Sequence, residues 1–241
     1  MATDGAGRNA ESPRLHGRRK GPSLSPRKKE ILAGMYPRLS LSCPEQRAGA
    51  LDPGALFDIR PARIELEIGF GKGEHLARRA MAHPDTGFIG CEPYLNGMVA
   101  FLDRARGAGL TNVRVYDDDA RHILDALPEA SLDHVHLIHP DPWPKRRHAG
   151  RRFVNPDNLA RLARVLKVGG RLDIVTDHPV YRQWALICMT RHPDFDWLAT
   201  RAADWRQPPE DWSETRYALK AQREGRWNCF LRYRRRPRSE T

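Results

Sequence analysis

The sequence predicts an open α/β protein with a doubly wound, mostly parallel sheet. Three observations carry that reading. Short β-prone runs alternate with helical patterns from about residue 63 to residue 191, the order that builds βαβ units. Each run ends in a glycine-rich or acidic loop, and open α/β sheets hold their ligands at the carboxyl ends of strands. The fourth run, 132–138, leads into His139-Pro140-Asp141-Pro142-Trp143-Pro144-Lys145. Three prolines in five residues continue neither a helix nor an inner strand, so they fix an acid and an aromatic ring at that end.

In chain order, residues 63–68 alternate as a strand and pass into Gly69-Phe70-Gly71-Lys72-Gly73, with a helix over 74–82. A second strand, 88–91, ends on Glu92 and is followed by a helix over 94–107. The third, 113–116, runs into Asp117-Asp118-Asp119 and a helix over 120–127. After the proline loop, Asn155 is a natural N-cap and Pro156 suits the first position of a helix reaching about residue 166. Gly169-Gly170 are expected to separate that helix from a fifth strand, 171–175, which ends at Thr176-Asp177-His178 before a helix over 180–191. Residues 227–233 alternate weakly and are expected to close the sheet antiparallel. Residues 41–60 read as a loop with a short ordered piece, and residues 1–40 as a basic, disordered arm before a single domain over 41–241.

The 241 residues carry a formal charge of +11 with 40% hydrophobic content. That is enough apolar matter for a core, with an excess of cations suited to a polyanion such as nucleic acid. No apolar run approaches the roughly 18 residues of a membrane span, and none near Met1 resembles a secretory signal, so no membrane and a cytoplasmic location are expected. The four cysteines make no CxxC pair, which fits reduced thiols without zinc. His134 and His136 share one strand face but lack a third ligand at suitable spacing, so no metal is expected. Trp184 and Trp197 are expected in the core.

The loops after the strands suggest a ligand. The glycines allow close backbone approach, yet Glu67 beside them would repel a pyrophosphate and welcome an ammonium group. Glu92 is placed to accept from two ribose hydroxyls, and Asp119 to accept from an adenine amine. A cation with ribose and adenine and no phosphate is S-adenosyl-L-methionine. The plain alternative is that each acid caps the helix after it.

Four motifs then occur in order: Glu67-Ile68-Gly69-Phe70-Gly71-Lys72-Gly73, Pro140-Asp141-Pro142-Trp143-Pro144-Lys145, Thr176-Asp177 and Thr215-Arg216-Tyr217. Over roughly residues 60–235 the chain resembles the bacterial tRNA (guanine-N7-)-methyltransferases, the TrmB family. The glycine motif is shared by many methyltransferases, whereas the proline loop followed by arginines is specific. The resemblance implies a Rossmann-like class I S-adenosylmethionine-dependent methyltransferase with a doubly wound, mostly parallel seven-stranded sheet, acting on N7 of a guanine in the tRNA variable loop. It implies cofactor contacts at Glu67, Gly69, Gly71, Gly73, Glu92, Asp119 and Asp141, with Asp141 also catalytic. Lys145, Asp177, Thr215, Arg216, Tyr217 and Ala218 match substrate-contacting positions, and Arg147, His148, Arg151 and Arg152 the RNA-contacting block. A monomer or homodimer without an obligatory protein partner is expected. Two departures stand out: Ala218 replaces a usual Glu, whose role would fall to Glu214 or Glu224, and His139 replaces a usual aromatic. Rival readings are an exocyclic-amine methyltransferase, a nicotinamide oxidoreductase and a non-catalytic RNA-binding module.

Overall fold

The computed structural model describes residues 15–43, 47–210, 212 and 214–237. Among these, strands β1 (Arg63–Ile68), β2 (Thr86–Cys91), β3 (Val113–Tyr116), β4 (Leu132–Ile138), β5 (Leu166–Thr176), β6 (Phe195–Trp197) and β7 (Cys229–Arg235) form one sheet. Its order is β3-β2-β1-β4-β5-β7-β6. The first five strands pair parallel, and β7 pairs antiparallel with both β5 and β6. The strand order reverses between β1 and β4, which is where such sheets open a crevice for a ligand.

Helices cover both faces. On one lie α1 (Pro26–Leu39), α2 (Glu74–Ala82) and α3 (Leu95–Gly107), packed on Phe88, Val113 and Val115. On the other, α4 (Ala120–Ala126), α5 (Pro156–Val165) and α6 (Pro179–Thr190) pack on Leu66, Ile89, Val135 and Ile174. Two short helices, α7 (Ala203–Arg206) and α8 (Arg216–Arg223), precede β7. The α5 start is as expected: Asn155 Oδ1 accepts from Asn158 N at 2.9 Å with Pro156 next in line, a cap worth about 1 kcal/mol.

Three expectations need correction. The arm expected to be disordered is helical over Pro26–Leu39, because Ile31, Met35 and Leu39 recur at helical spacing and are buried, each contributing about 1.5–3 kcal/mol. Their stripe is hidden in sequence by the Arg and Lys around it; residues 1–14 lie outside the described residues. Gly169-Gly170 do not separate helix from strand. The helix ends at Val165 and the glycines lie within β5, beside an irregularity in its pairing with β4, as a glycine inside a strand often does. Trp197 is 44% exposed on the short β6 rather than in the core, whereas Trp184 packs against it.

One layer of the interior is polar. Because β1 side chains alternate, Glu65 and Glu67 face α2 while Leu66 and Ile68 face the apolar cluster opposite. Glu65 stands opposite His134 and Glu67 opposite His136 on β4, and His136 opposite Asp173 on β5. From α2, Arg79 Nε and Nη2 donate to Glu65 at 2.9 Å.

Candidate active site

The expected residues gather at the carboxyl ends of β1 to β5. After β1, Gly69, Gly71 and Gly73 all have positive φ, between 59° and 70°, a conformation that costs glycine little. The turn is closed by Gly73 N donating to Phe70 O at 2.8 Å. It packs so tightly that a Cβ on Gly97 would meet Gly71 O at 2.4 Å. Gly71 N points instead at the end of β2, donating to Glu92 Oε2 at 2.6 Å, while Tyr94 N donates to Oε1 at 2.8 Å. A carboxylate has about four lone-pair sites, so Glu92 keeps capacity for two hydroxyl donors. Burial pushes its pKa up to about 7, against the pull of those two amides.

Glu67 is less open than its motif suggests. It is 3% exposed and hydrogen-bonded to His75 Nδ1 at 2.8 Å. Asp119 does what the plain alternative predicts: it caps α4, accepting from Arg121 N at 3.0 Å, and it pairs with the Arg121 guanidinium. Glu67, Glu92 and Asp119 are thus brought to one crevice but are all buried, at 3%, 8% and 4% exposure. Their chemistry fits a cationic nucleoside donor.

The proline loop turns sharply on non-glycine residues. His139 and Trp143 have φ of 51° and 40°, which surrounding structure must enforce. His139 N donates to Val175 O at 2.8 Å. Arg152 does the rest: Nε donates to Pro142 O at 3.2 Å and Nη2 to Trp143 O at 3.0 Å, with the guanidinium 4.7 Å over the Trp184 ring. Asp141 is thereby held at the rim, open to solvent on one side, and partial burial raises its pKa above the ordinary carboxylate value.

Arg152 was expected on the RNA surface. It is 5% exposed and holds the loop from beneath, so its place is a correction to the sequence reading, and no spacing signal distinguishes it from its neighbours. Lys145, Arg146, Arg147 and Arg151 are exposed and His148 partly so, over a 3-10 turn spanning Arg146–Arg151. Trp143 belongs to this block, with Arg151 4.9 Å over its ring and His148 edge-on at 5.8 Å.

Across the crevice, Asp177 is held at both oxygens: Arg226 Nη1 lies 2.8 Å from Oδ2 and His139 Nδ1 3.4 Å from Oδ1. These contacts, the His139 one first, keep its pKa below the usual range despite burial. The start of α8 closes this side. Thr215 Oγ1 accepts from Ala218 N at 3.1 Å, and the Tyr217 ring lies 6.0 Å from His139. Ala218 is buried. Neither stand-in for its missing carboxylate is spare, since Glu224 pairs with Arg226 and Glu214 accepts from Gln222 at 3.2 Å. From α2, Glu74 also reaches α8, accepting weakly from Arg216 N at 3.5 Å. Glu74, His139 and Arg226 were missed as site residues because each belongs to the site only through contacts distant in sequence.

The expectation about a metal rested on a missing third ligand. Glu65 supplies one: its carboxylate and the rings of His134 and His136 offer atoms within 4.8 Å of one another. Arg79 already holds both oxygens of Glu65, and His136 Nε2 is bonded to it at 2.9 Å. Burial alone would raise Glu65, but the His136 and Arg79 bonds hold it well below the usual range. Glu65 is thus engaged by Arg79 and His136 in a buried network, in which His134 Nε2 and Asp173 Oδ1 have no hydrogen-bond partner.

Among solved structures, the chain is similar in fold to a 16S rRNA methyltransferase, KamB (TM-score 0.55, 16% identity, 73% of this chain and 89% of that one). It is also similar to a SAM-dependent O-methyltransferase from Thermotoga maritima (TM-score 0.50, 16% identity, 78% and 64%). Residues 61–231 match a family described as "Putative methyltransferase". The tRNA (guanine-N(7)-)-methyltransferase of Zymomonas mobilis is 48% identical over 92% of this chain and 94% of its own. That of Agrobacterium fabrum is 47% identical over 95% and 98%. At that identity over nearly the whole of both sequences, the chain belongs to the tRNA (guanine-N(7)-)-methyltransferase family.

Proposed function

We propose that this protein transfers a methyl group from S-adenosyl-L-methionine to N7 of a guanine in the variable loop of tRNA. The observation that carries it is the Asp141 loop, clamped at the end of β4 between the glycine crevice and an exposed cationic block.

The donor, when bound, supplies an electrophilic methyl on a sulfonium. Glu92 would accept from its ribose hydroxyls, the glycine turn would line it, Asp119 would accept from its adenine amine and Glu67 would favour its ammonium. Guanine N7 is an acceptor with a free lone pair and needs no deprotonation, so the residues' task is alignment. Asp141 accepts from the base's N–H edge, and its charge favours the purine as it becomes cationic. Asp177 supports the same edge from the opposite wall once Arg226 yields part of its hold. Tyr217 and His139 flank the base position. Lys145, Arg146, Arg147, His148 and Arg151 hold the phosphates while the base leaves its stack. Arg152 acts on the loop and not on RNA.

The protein works as a monomer or homodimer in the cytoplasm, without an obligatory partner; no helix among the described residues is long and apolar enough to cross a membrane. Mass spectrometry of nucleosides from tRNA incubated with the protein and methyl donor tests the assignment. 7-Methylguanosine is expected, and a methylated exocyclic amine or no product would overturn it. Light scattering of the purified protein tests the oligomeric state.

A further inference from the structure

The triplet Arg18-Arg19-Lys20 has no part in the chemistry above, yet it lies at the mouth of the crevice. From His16 to Pro22 the chain runs without regular secondary structure, and its contacts follow the strand ends in turn. Asn96 Nδ2 donates to Pro22 O at 3.1 Å, and Leu95 N, at the start of α3, donates to Arg19 O at 3.1 Å. Gly21 sits so close that a Cβ there would meet Tyr94 Oη at 2.5 Å. The Arg18 guanidinium lies 5.5 Å over the Tyr94 ring. Arg19 Nη1 then reaches Asp118 Oδ1 at 2.9 Å, tying the loop after β2 to the loop after β3. Gly17, with φ of 147°, brings the backbone to where a Cβ would stand 3.8 Å from Asp141 Oδ2, and the His16 ring lies 6.4 Å from that of Trp143.

We propose that residues 16–22 are a strap that closes over the bound methyl donor, with Arg19 as the positioning residue that latches it to Asp118. The proposal rests on the donor site assigned above to Glu92 and its neighbours. The loops it joins are those that hold the ribose and adenine ends, and the three acids beneath it are buried. The far end of the strap is fixed, because α1 begins four residues later and is packed into the core. The latch is a partly exposed ion pair, with side chains 52% and 33% exposed, so it opens readily and is screened by salt. The donor leaves when the latch opens.

The test is the dissociation rate of S-adenosylhomocysteine, measured by stopped flow without tRNA, so that loss of a phosphate contact cannot move it. Arg19→Ala should speed release by roughly two- to fivefold, the range of an exposed ion pair. Deleting residues 1–21 should speed it further. In both, KM for S-adenosylmethionine should rise while kcat at saturating donor and the thermal midpoint hold. Arg19→Asp should release faster still, and the swap Arg19→Asp with Asp118→Arg should restore slow release. Should the truncated chain fail to fold, the point variants and the swap decide alone. Glu92→Ala separates the two readings. If it leaves donor affinity intact, the site assignment is wrong and the strap falls with it. If it weakens affinity while Arg19→Ala and the swap leave the release rate at the wild-type value, the site stands and the strap is refuted.

Discussion

Arg152→Ala should damage turnover more than tRNA binding, although Arg152 lies in a run of arginines that reads as an RNA surface. The side chain is 5% exposed and makes two hydrogen bonds to loop carbonyls. Bonds from a charged donor are worth about 1.5–3 kcal/mol each, part of which water recovers once the side chain is gone. Stacking over Trp184 at 4.7 Å adds about 0.5–2 kcal/mol. A net loss of about 2–4 kcal/mol is expected in denaturant unfolding. The functional cost follows from what the bonds hold. With φ of 40° at Trp143 no longer enforced, the loop relaxes and Asp141 shifts. A misplacement of about 1 Å costs on the order of 10²-fold in rate. Arg152→Lys keeps the charge but not the fork or the stacking, so it should recover part of the stability and little of the rate. Arg151→Ala is the control, since Arg151 is exposed and should raise KM for tRNA with kcat nearly unchanged. Steady-state methylation of one tRNA transcript by the three variants decides it. If Arg152→Ala matches Arg151→Ala, with a normal kcat and a flatter salt slope, the guanidinium turns outward to RNA and the clamp does not operate.

Asp141→Asn should lower kcat by roughly 10²-fold or more with tRNA affinity little changed; a defect confined to affinity would reduce the loop to scaffolding. Glu92 titrates near 7 because it is buried, and its contact with ribose hydroxyls needs the ionised form. Donor affinity measured by calorimetry should therefore rise as pH increases through about 7, and Glu92→Gln should flatten that rise. The same raised pKa means that the folded state keeps this proton longer than the unfolded chain. The Glu92 contribution to stability therefore falls from the ordinary carboxylate range up to about pH 7, a slope that Glu92→Gln should remove from pH-dependent melts. Replacing Arg146, Arg147 and Arg151 together should reduce the salt dependence of tRNA binding by a log–log slope of up to about 2–3, with donor affinity unchanged; an unaltered slope would make the block a solvated face.

What the sequence disclosed and what it withheld differ in a physical way. β1, β3 and β4 fall where alternation and apolar length put them, because a strand's periodicity is local. α5 begins at its cap and proline for the same reason. Asp141, Glu92 and the glycine turn were legible because loop chemistry is written in adjacent residues. The stripe on α1 was drowned by the cations around it, and β6 is too short to show a period. Arg152 and Arg151 are neighbours of the same type, and contacts with the folded proline loop and the distant Trp184 hold Arg152 inward. The occupancy of Asp177 by Arg226 and His139 depends in the same way on β5, β7 and the proline loop being assembled. The family resemblance supplied candidate site residues that periodicity could not, without revealing that Glu67 and Asp119 are enclosed.

The polar layer beneath α2 has a consequence for assembly. Parallel strands rich in Val, Leu and Ile can slide past one another at little cost, since any apolar side chain suits an apolar layer. Sliding β1 by one residue against β4 would turn Glu65 and Glu67 into the layer of Leu66 and Val135, away from Arg79, His75 and the two histidines. Each stranded charge would cost several kcal/mol, and a slip of this kind exchanges the two faces wholesale. The network therefore discriminates against misaligned pairings at the centre of the sheet. The loops that follow β1 and β4, with the glycine turn on one and Asp141 on the other, reach the same height only in the alignment that these charges select.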